Sequence, residues 1–147
     1  DELFDLLRKR RKRNNIILTP HEGEFNRLFK FGNMSKIDKA NKAADITNST
    51  ILFKGNDTVI SSPKKITFLS KESSTFLSTA GSGDVLAGIC GSFLAQGMKS
   101  HFAAGAASWL HNEIGIQTGP GLIAEDMNKL LSKVISKQLR RIYQSED

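Results

Sequence analysis

Ser78-Thr79-Ala80-Gly81-Ser82-Gly83-Asp84-Val85-Leu86-Ala87-Gly88 places three glycines and an aspartate between a polar stretch and a long apolar segment rich in helix formers. A glycine turn at a helix start presents bare main-chain N–H groups to phosphate oxygens. A carboxylate at the same point can take a proton from a hydroxyl held beside that phosphate. Both halves of a nucleotide-dependent reaction on an alcohol are thus present in one segment. The commoner glycine-rich motifs do not fit. A dinucleotide fingerprint needs glycine where Leu86 stands, and a P-loop needs Gly-Lys-Ser/Thr where the chain has Gly88-Ile89-Cys90. The plainer alternative is a tight turn with Asp84 as the helix N-cap.

Other candidate groups follow the predicted strands. Thr19-Pro20-His21 comes after Ile16-Ile17-Leu18, and Lys54-Gly55-Asn56-Asp57-Thr58 comes after Thr50-Ile51-Leu52-Phe53-Lys54. In open α/β sheets ligands bind beyond the carboxyl ends of parallel strands, which brings His21, Lys54, Gly55 and Thr58 towards one site. Lys54 and Gly55 suit close approach to a nucleotide, with Thr58 as a hydroxyl donor; Asn56-Asp57 also makes an ordinary hairpin turn. His21, His101 and His111 have no metal-ligand spacing, and His111-Asn112-Glu113 is not a zinc motif. Trp109 and Asn112 read as helix positions facing a neighbour.

These groups need a frame. The pattern predicts a helix over Asp1 to Arg13, a strand at Ile16 to Leu18, and helices over Glu24 to Phe31 and from an N-cap at Ser35 to Ala44. Strands follow at Thr50 to Lys54, Thr58 to Ser61 and Lys65 to Leu69, the last two joined by a hairpin through Ser62-Pro63-Lys64. Lys71 to Ser78 reads as a polar loop. The remaining helices are Val85 to Gln96, His101 to about Ile116 with Ser100 as cap, and Ala124 to near Tyr143. Alternation of strands and helices predicts an α/β fold, with a mostly parallel sheet flanked by helices.

The 147 residues suffice for one domain with a core, and 39% hydrophobic with 24% charged residues is ordinary for a globular chain. No apolar run approaches the roughly 18 residues of a membrane span. Cys90 is the single cysteine and reads as a small buried hydrophobe. The expected location is cytoplasmic, without membrane association. The net charge of +6 is carried by Arg8, Lys9, Arg10, Arg11, Lys12 and Arg13; outside that run, 15 basic residues balance 15 acidic ones. A solvated helix end is favoured over a nucleic-acid arm, since no aromatic residue interleaves the run.

Taken together, Thr19-Pro20-His21-Glu22-Gly23-Glu24-Phe25, Lys54-Gly55-Asn56-Asp57-Thr58-Val59-Ile60, Thr79 to Gly88 and Gly119-Pro120-Gly121-Leu122-Ile123-Ala124-Glu125-Asp126 resemble, in order, the ADP- or ATP-dependent NAD(P)H-hydrate dehydratases. The likeness runs from about Asp1 to Leu139. It implies a ribokinase-like three-layer α/β/α fold, of which residues 1–147 would be a single partial domain, the C-terminal portion, with the N-terminal half absent. It implies a metabolite-repair reaction in which ADP or ATP phosphorylates the ring hydroxyl of NAD(P)H hydrate and loss of phosphate restores NAD(P)H.

On that model Asp84 is the catalytic base and touches the substrate. His21 contacts the hydrate. Lys54, Gly55, Asn56, Asp57 and Thr58, with Gly81, Ser82 and Gly83, hold the nucleotide. Magnesium would accompany the nucleotide with no protein ligand assigned. The expected partners are NAD(P)H hydrate, an adenine nucleotide, further copies in a homo-oligomer, and an epimerase domain, fused or separate. Two alternatives are a ribokinase-like kinase of a vitamin-precursor alcohol and an inactive truncated remnant with a basic arm.

Overall fold

The computed structural model describes residues 15–70 and 75–144. The expected helix over Asp1 to Arg13, with its basic run, lies outside the described residues. Four strands, β1 (Ile17–Leu18), β2 (Thr50–Phe53), β3 (Thr58–Ser61) and β4 (Phe68–Ser70), form one sheet in that order. Helices α1 (Glu22–Leu28) and α2 (Lys36–Thr47) separate β1 from β2. Helices α3 (Ser82–Ala95), α4 (Ser100–Thr118) and α5 (Ala124–Gln144) complete the chain.

The mostly parallel sheet expected from the sequence is corrected for these strands. Only β1 and β2 run parallel, whereas β2–β3 is antiparallel and β3–β4 is the expected hairpin. The cause is connection length. A parallel pair needs a crossover of a dozen or more residues, which α1 and α2 supply, but β2–β3 and β3–β4 are joined by short turns. At the second turn Lys65 N donates to Ser62 O at 3.1 Å, and Lys64 takes φ 57°.

Alternation along the strands builds two cores. Leu52 and its partner Ile60 face α3, α4 and α5, joining Leu86, Ile89, Ala107, Ile114 and Met127. Ile51, Phe53 and Val59 face the other side, joining Phe25 of α1 and Ala40, Ala43 and Ala44 of α2. All four residues of β2 and of β3 are buried, as expected of strands covered on both faces. The result is three layers, helix on sheet on helix. Small alanines on α2 let that helix lie close to the sheet.

Helix boundaries differ from the sequence reading for identifiable reasons. α1 begins at Glu22 because His21 caps it, and ends at Leu28 where Phe29 passes into extended backbone at φ −127° and ψ 122°. The Nδ1 of His21 accepts from Glu24 N at 3.3 Å, and the Glu24 carboxylate accepts from His21 N at 2.8 Å. This is a reciprocal capping box built with histidine in place of Ser or Thr. Ser35 does cap α2, accepting from Asp38 N, but the helix runs past Ala44 to Thr47 and stops where Asn48 turns left-handed at φ 48°. α3 starts at Ser82, a turn before the expected Val85. Ser100 is not the cap of α4; Lys99 holds that position, and the Ser100 hydroxyl instead accepts from Thr50 Oγ1 at 2.8 Å. β4 is shorter than expected. Thr75 to Ser78 form a 3-10 turn where a loop was read. Among the described residues no helix is long and apolar enough to cross a membrane.

Candidate functional site

A cleft of about 1080 Å³ opens where four segments converge: the loop after β1, the β2–β3 turn, the 3-10 turn, and the glycine turn before α3. Main-chain hydrogen bonding ties the first two together, since Lys54 N donates to Pro20 O at 2.9 Å. The expected residues His21, Lys54, Gly55, Asn56, Asp57, Thr58, Gly81, Ser82, Gly83 and Asp84 all line this one cleft.

The glycine turn is shaped by Gly81, whose φ of 83° is a left-handed conformation that L residues rarely adopt. Gly81, and not Asp84, is the N-cap of α3. Its carbonyl accepts from both Asp84 N at 3.0 Å and Val85 N at 3.1 Å, while Ser82 N donates to Thr79 O at 3.3 Å. Among the described residues Gly83 N–H has no main-chain acceptor, so it is the open donor of the turn. Asp84 lies exposed in the first helical turn, at the rim of the cleft.

Lys54 brings positive charge to the same point. A Cβ placed on Gly83 would lie 3.1 Å from Lys54 Nζ, so the absence of a side chain there makes room for the ammonium. A cation at a helix N-terminus meets the positive end of the helix dipole and is unfavourable by itself. The Glu24 carboxylate, 3.8 Å from Lys54 Nζ, offsets part of that. The His21 amide hydrogen bond, with help from Lys54, holds the Glu24 carboxyl below its usual range. The arrangement leaves an ammonium and an amide donor beside one carboxylate, which suits an anion such as a phosphate next to a group to be deprotonated.

Other expected residues take different roles. Ser82 is buried and its hydroxyl donates to Leu77 O at 2.6 Å, which commits the side chain to the protein. Thr58 Oγ1 is turned to Gly55 O at 3.3 Å. The Asp57 carboxylate pairs with Lys36 Nζ at 2.8 Å, and the same ammonium bonds the Asp57 carbonyl and lies 4.9 Å over the Phe53 ring. Cys90 is buried, and desolvation pushes its thiol up to about 11, consistent with a packing role.

Lys36 and His111 also line the cleft; Lys36 was not among the sequence candidates, and His111 was weighed only as a metal ligand and set aside. A signal for Lys36 existed: a lysine in the first turn of a helix is at the wrong end of the dipole, and such a placement asks for a nearby anion. For His111 no local signal exists, since only the packing of α4 on α3 brings it to the cleft. Its Nε2 lies 2.8 Å from Ser82 O, and burial holds its pKa below the ordinary histidine value.

The Lys36–Asp57 pair has a pH signature. Lys36 lowers the folded-state pKa of Asp57, so the pair stabilises the fold above the unfolded aspartate value and ceases to do so as pH falls through the lower folded one. The difference in melting temperature between the native chain and Asp57→Asn is therefore expected at neutral pH and should close as pH falls below about 4. A gap that persists unchanged in acid would show that the carboxylate charge is not what stabilises.

A family model described as NAD(P)H-hydrate dehydratase matches residues 2–139. The chain belongs to that family. The bifunctional NAD(P)H-hydrate repair enzyme Nnr of Synechocystis is 42% identical over 103 residues, covering 68% of this chain and 20% of the relative. Among solved structures, the ADP/ATP-dependent NAD(P)H-hydrate dehydratase of Bacillus subtilis, co-crystallised with ATP and Mg2+, superposes with a TM-score of 0.75 at 28% identity, covering 89% of this chain and 52% of that one. A ribokinase-like superfamily protein of Enterococcus faecalis gives a TM-score of 0.72 at 25% identity, covering 82% and 44%. The dehydratase-family chain thus has the ribokinase-like α/β fold and spans about half the length of those structures.

Proposed function

We propose that this chain works as the C-terminal portion of a nucleotide-dependent NAD(P)H-hydrate dehydratase in the cytoplasm, returning damaged cofactor to NAD(P)H. The observation that carries the reading is the grouping of an exposed Asp84 carboxylate, the open Gly83 N–H and the Lys54 ammonium at one end of one cleft. Family membership supplies the reaction class.

In the proposed reaction Asp84 takes the proton from the ring hydroxyl of the hydrate. The hydroxyl oxygen then forms a bond to the terminal phosphorus of ADP or ATP, and the bond from that phosphorus to the leaving phosphate oxygen breaks. Lys54 and Gly83 N–H stabilise the charge on the phosphoryl oxygens. The phosphate group then leaves as inorganic phosphate with its C–O bond, and a proton is lost from the adjacent ring carbon, which together restore the ring double bond. His21, fixed by its capping box with Glu24, borders the hydrate. Lys54, Gly55, Asn56, Asp57 and Thr58 border the nucleotide together with Gly81, Ser82 and Gly83.

Magnesium would arrive on the nucleotide phosphates, where it spreads their charge. Among the described residues there is no group of three or more His, Cys, Asp or Glu that could hold a metal ion. Further copies in a homo-oligomer and an epimerase domain are the proposed associates. The exposed apolar residues Phe102, Trp109 and Ile116, spaced every seven residues along α4, favour assembly.

The test of the function is direct. The chain is mixed with NADH hydrate and ADP or ATP, and NADH absorbance is followed. No gain with either nucleotide would end the reading for this chain. Lys54→Ala is expected to weaken ADP binding about tenfold, the loss of one charge-assisted contact, with a smaller effect on the hydrate. Separate titrations of the two ligands decide the order; equal losses would remove Lys54 from the nucleotide side.

A further inference from the structure

His111 lines the cleft, yet the reaction above gives it nothing to do. It stands in the middle of α4, is 8% exposed, and its Nε2 is 2.8 Å from the carbonyl oxygen of Ser82. A carbonyl only accepts, so Nε2 carries the proton and the imidazole is a donor. Ser82 is the first residue of α3 and is gripped a second time, since its hydroxyl donates to Leu77 O. The grip falls between two glycines. Gly81 and Gly83 have wide conformational freedom, and a turn made of them does not hold its shape without restraint.

We propose that His111 is a positioning residue: its Nε2–H clamps the Ser82 carbonyl and so fixes the glycine turn, keeping Gly83 N–H and Asp84 at the rim of the cleft. The clamp ties the start of α3 to α4, a long helix anchored in the core through Ala107, Leu110 and Ile114. Rigidity of the core is thereby passed to the one segment that carries both the open amide and the carboxylate. Burial and the nearby Lys54 charge both favour the neutral imidazole, so the donor is held as a neutral group beside an ammonium. This deepens the dehydratase reading and rests on it for the roles of Gly83 and Asp84.

The test compares the native chain with His111→Leu, which removes the donor, and His111→Gln, whose side-chain amide can donate from nearly the same place. Hydrogen exchange at the Ser82, Asp84 and Val85 amides is read first. It is expected to speed up about tenfold in His111→Leu, as for loss of one buried hydrogen bond, while the Leu52 and Ile60 amides stay as they were. ADP affinity should fall by a similar factor, and His111→Gln should return both readouts to within about threefold of native.

Unchanged exchange in the turn of His111→Leu would overturn the proposal, as would a His111→Gln chain no better than His111→Leu. Uniform acceleration that includes Leu52 and Ile60 would also overturn it, since that is general destabilisation. Nitrogen NMR of the native imidazole provides a reading that needs no variant. A proton on Nδ1 instead of Nε2 contradicts the clamp. If the native chain binds no ADP, the functional reading fails, and the exchange comparison still decides the clamp.

Discussion

Asp84→Asn is expected to lower NADH-hydrate turnover by about a thousandfold while leaving ADP affinity within about threefold of native. The two effects separate because the groups separate. Asp84 lies exposed at the rim of the cleft, with no side-chain hydrogen bond or ion pair among the described residues, so the amide replaces it without disturbing a network. The nucleotide is proposed to meet Lys54 and Gly83 N–H, neither of which the substitution alters. Asparagine keeps the shape and the first-turn position but cannot accept the hydroxyl proton. The rate is measured by NADH absorbance and the affinity by calorimetry. Turnover that survives in Asp84→Asn would exclude this carboxylate as the base. Loss of ADP binding together with turnover would instead point to collapse of the glycine turn.

The second large effect is on stability. Phe25→Ala should cost about 3–5 kcal/mol, the range for deleting a fully buried aromatic ring. Phe25 has no exposed surface. Its ring stacks on Phe53 with centroids 4.1 Å apart and planes 4° apart, and it meets Phe29 at 4.7 Å and Phe31 at 6.1 Å. The cluster can close over the void only by moving α1. That helix carries Glu24, and its N-cap is His21, so relaxation would displace the groups that border the cleft. Urea unfolding gives the loss through a lower midpoint at unchanged slope. A cost below about 1 kcal/mol would mean that the aromatic cluster repacks freely and that Phe25 does not anchor the helix.

Local patterns carried much of the fold. Ser35 as a cap, the buried run Ile51-Leu52-Phe53, the Ser62-Pro63-Lys64 turn and the long amphipathic helix from Ala124 depend on neighbours within one element, and each appears where the sequence places it. The histidine cap at His21 was missed because capping rules are written for Ser, Thr, Asp and Asn. The hairpin from β3 to β4 was legible in its turn residues, but the mostly parallel character of the sheet was overstated for a different reason. Alternating strands and helices describe β1 to β2 well, but direction in the rest of the sheet follows from connection length, which matters more than the overall alternation.

By itself the sequence determined the chemistry available: a glycine turn ending in Asp84, a lysine after a strand, and a histidine after another, all in an order characteristic of one family. Those properties reside in residue type and spacing, which the chain carries unfolded. Tertiary structure alone decided what each group does in the cleft. It turned the Ser82 hydroxyl inward, paired Asp57 with Lys36 across twenty-one residues, set Lys54 against Gly83, and brought His111 to the Ser82 carbonyl. The physical reason is that a hydrogen bond or ion pair requires atoms within a few ångströms, and only the packing of helices on the sheet brings residues so far apart in sequence to that distance.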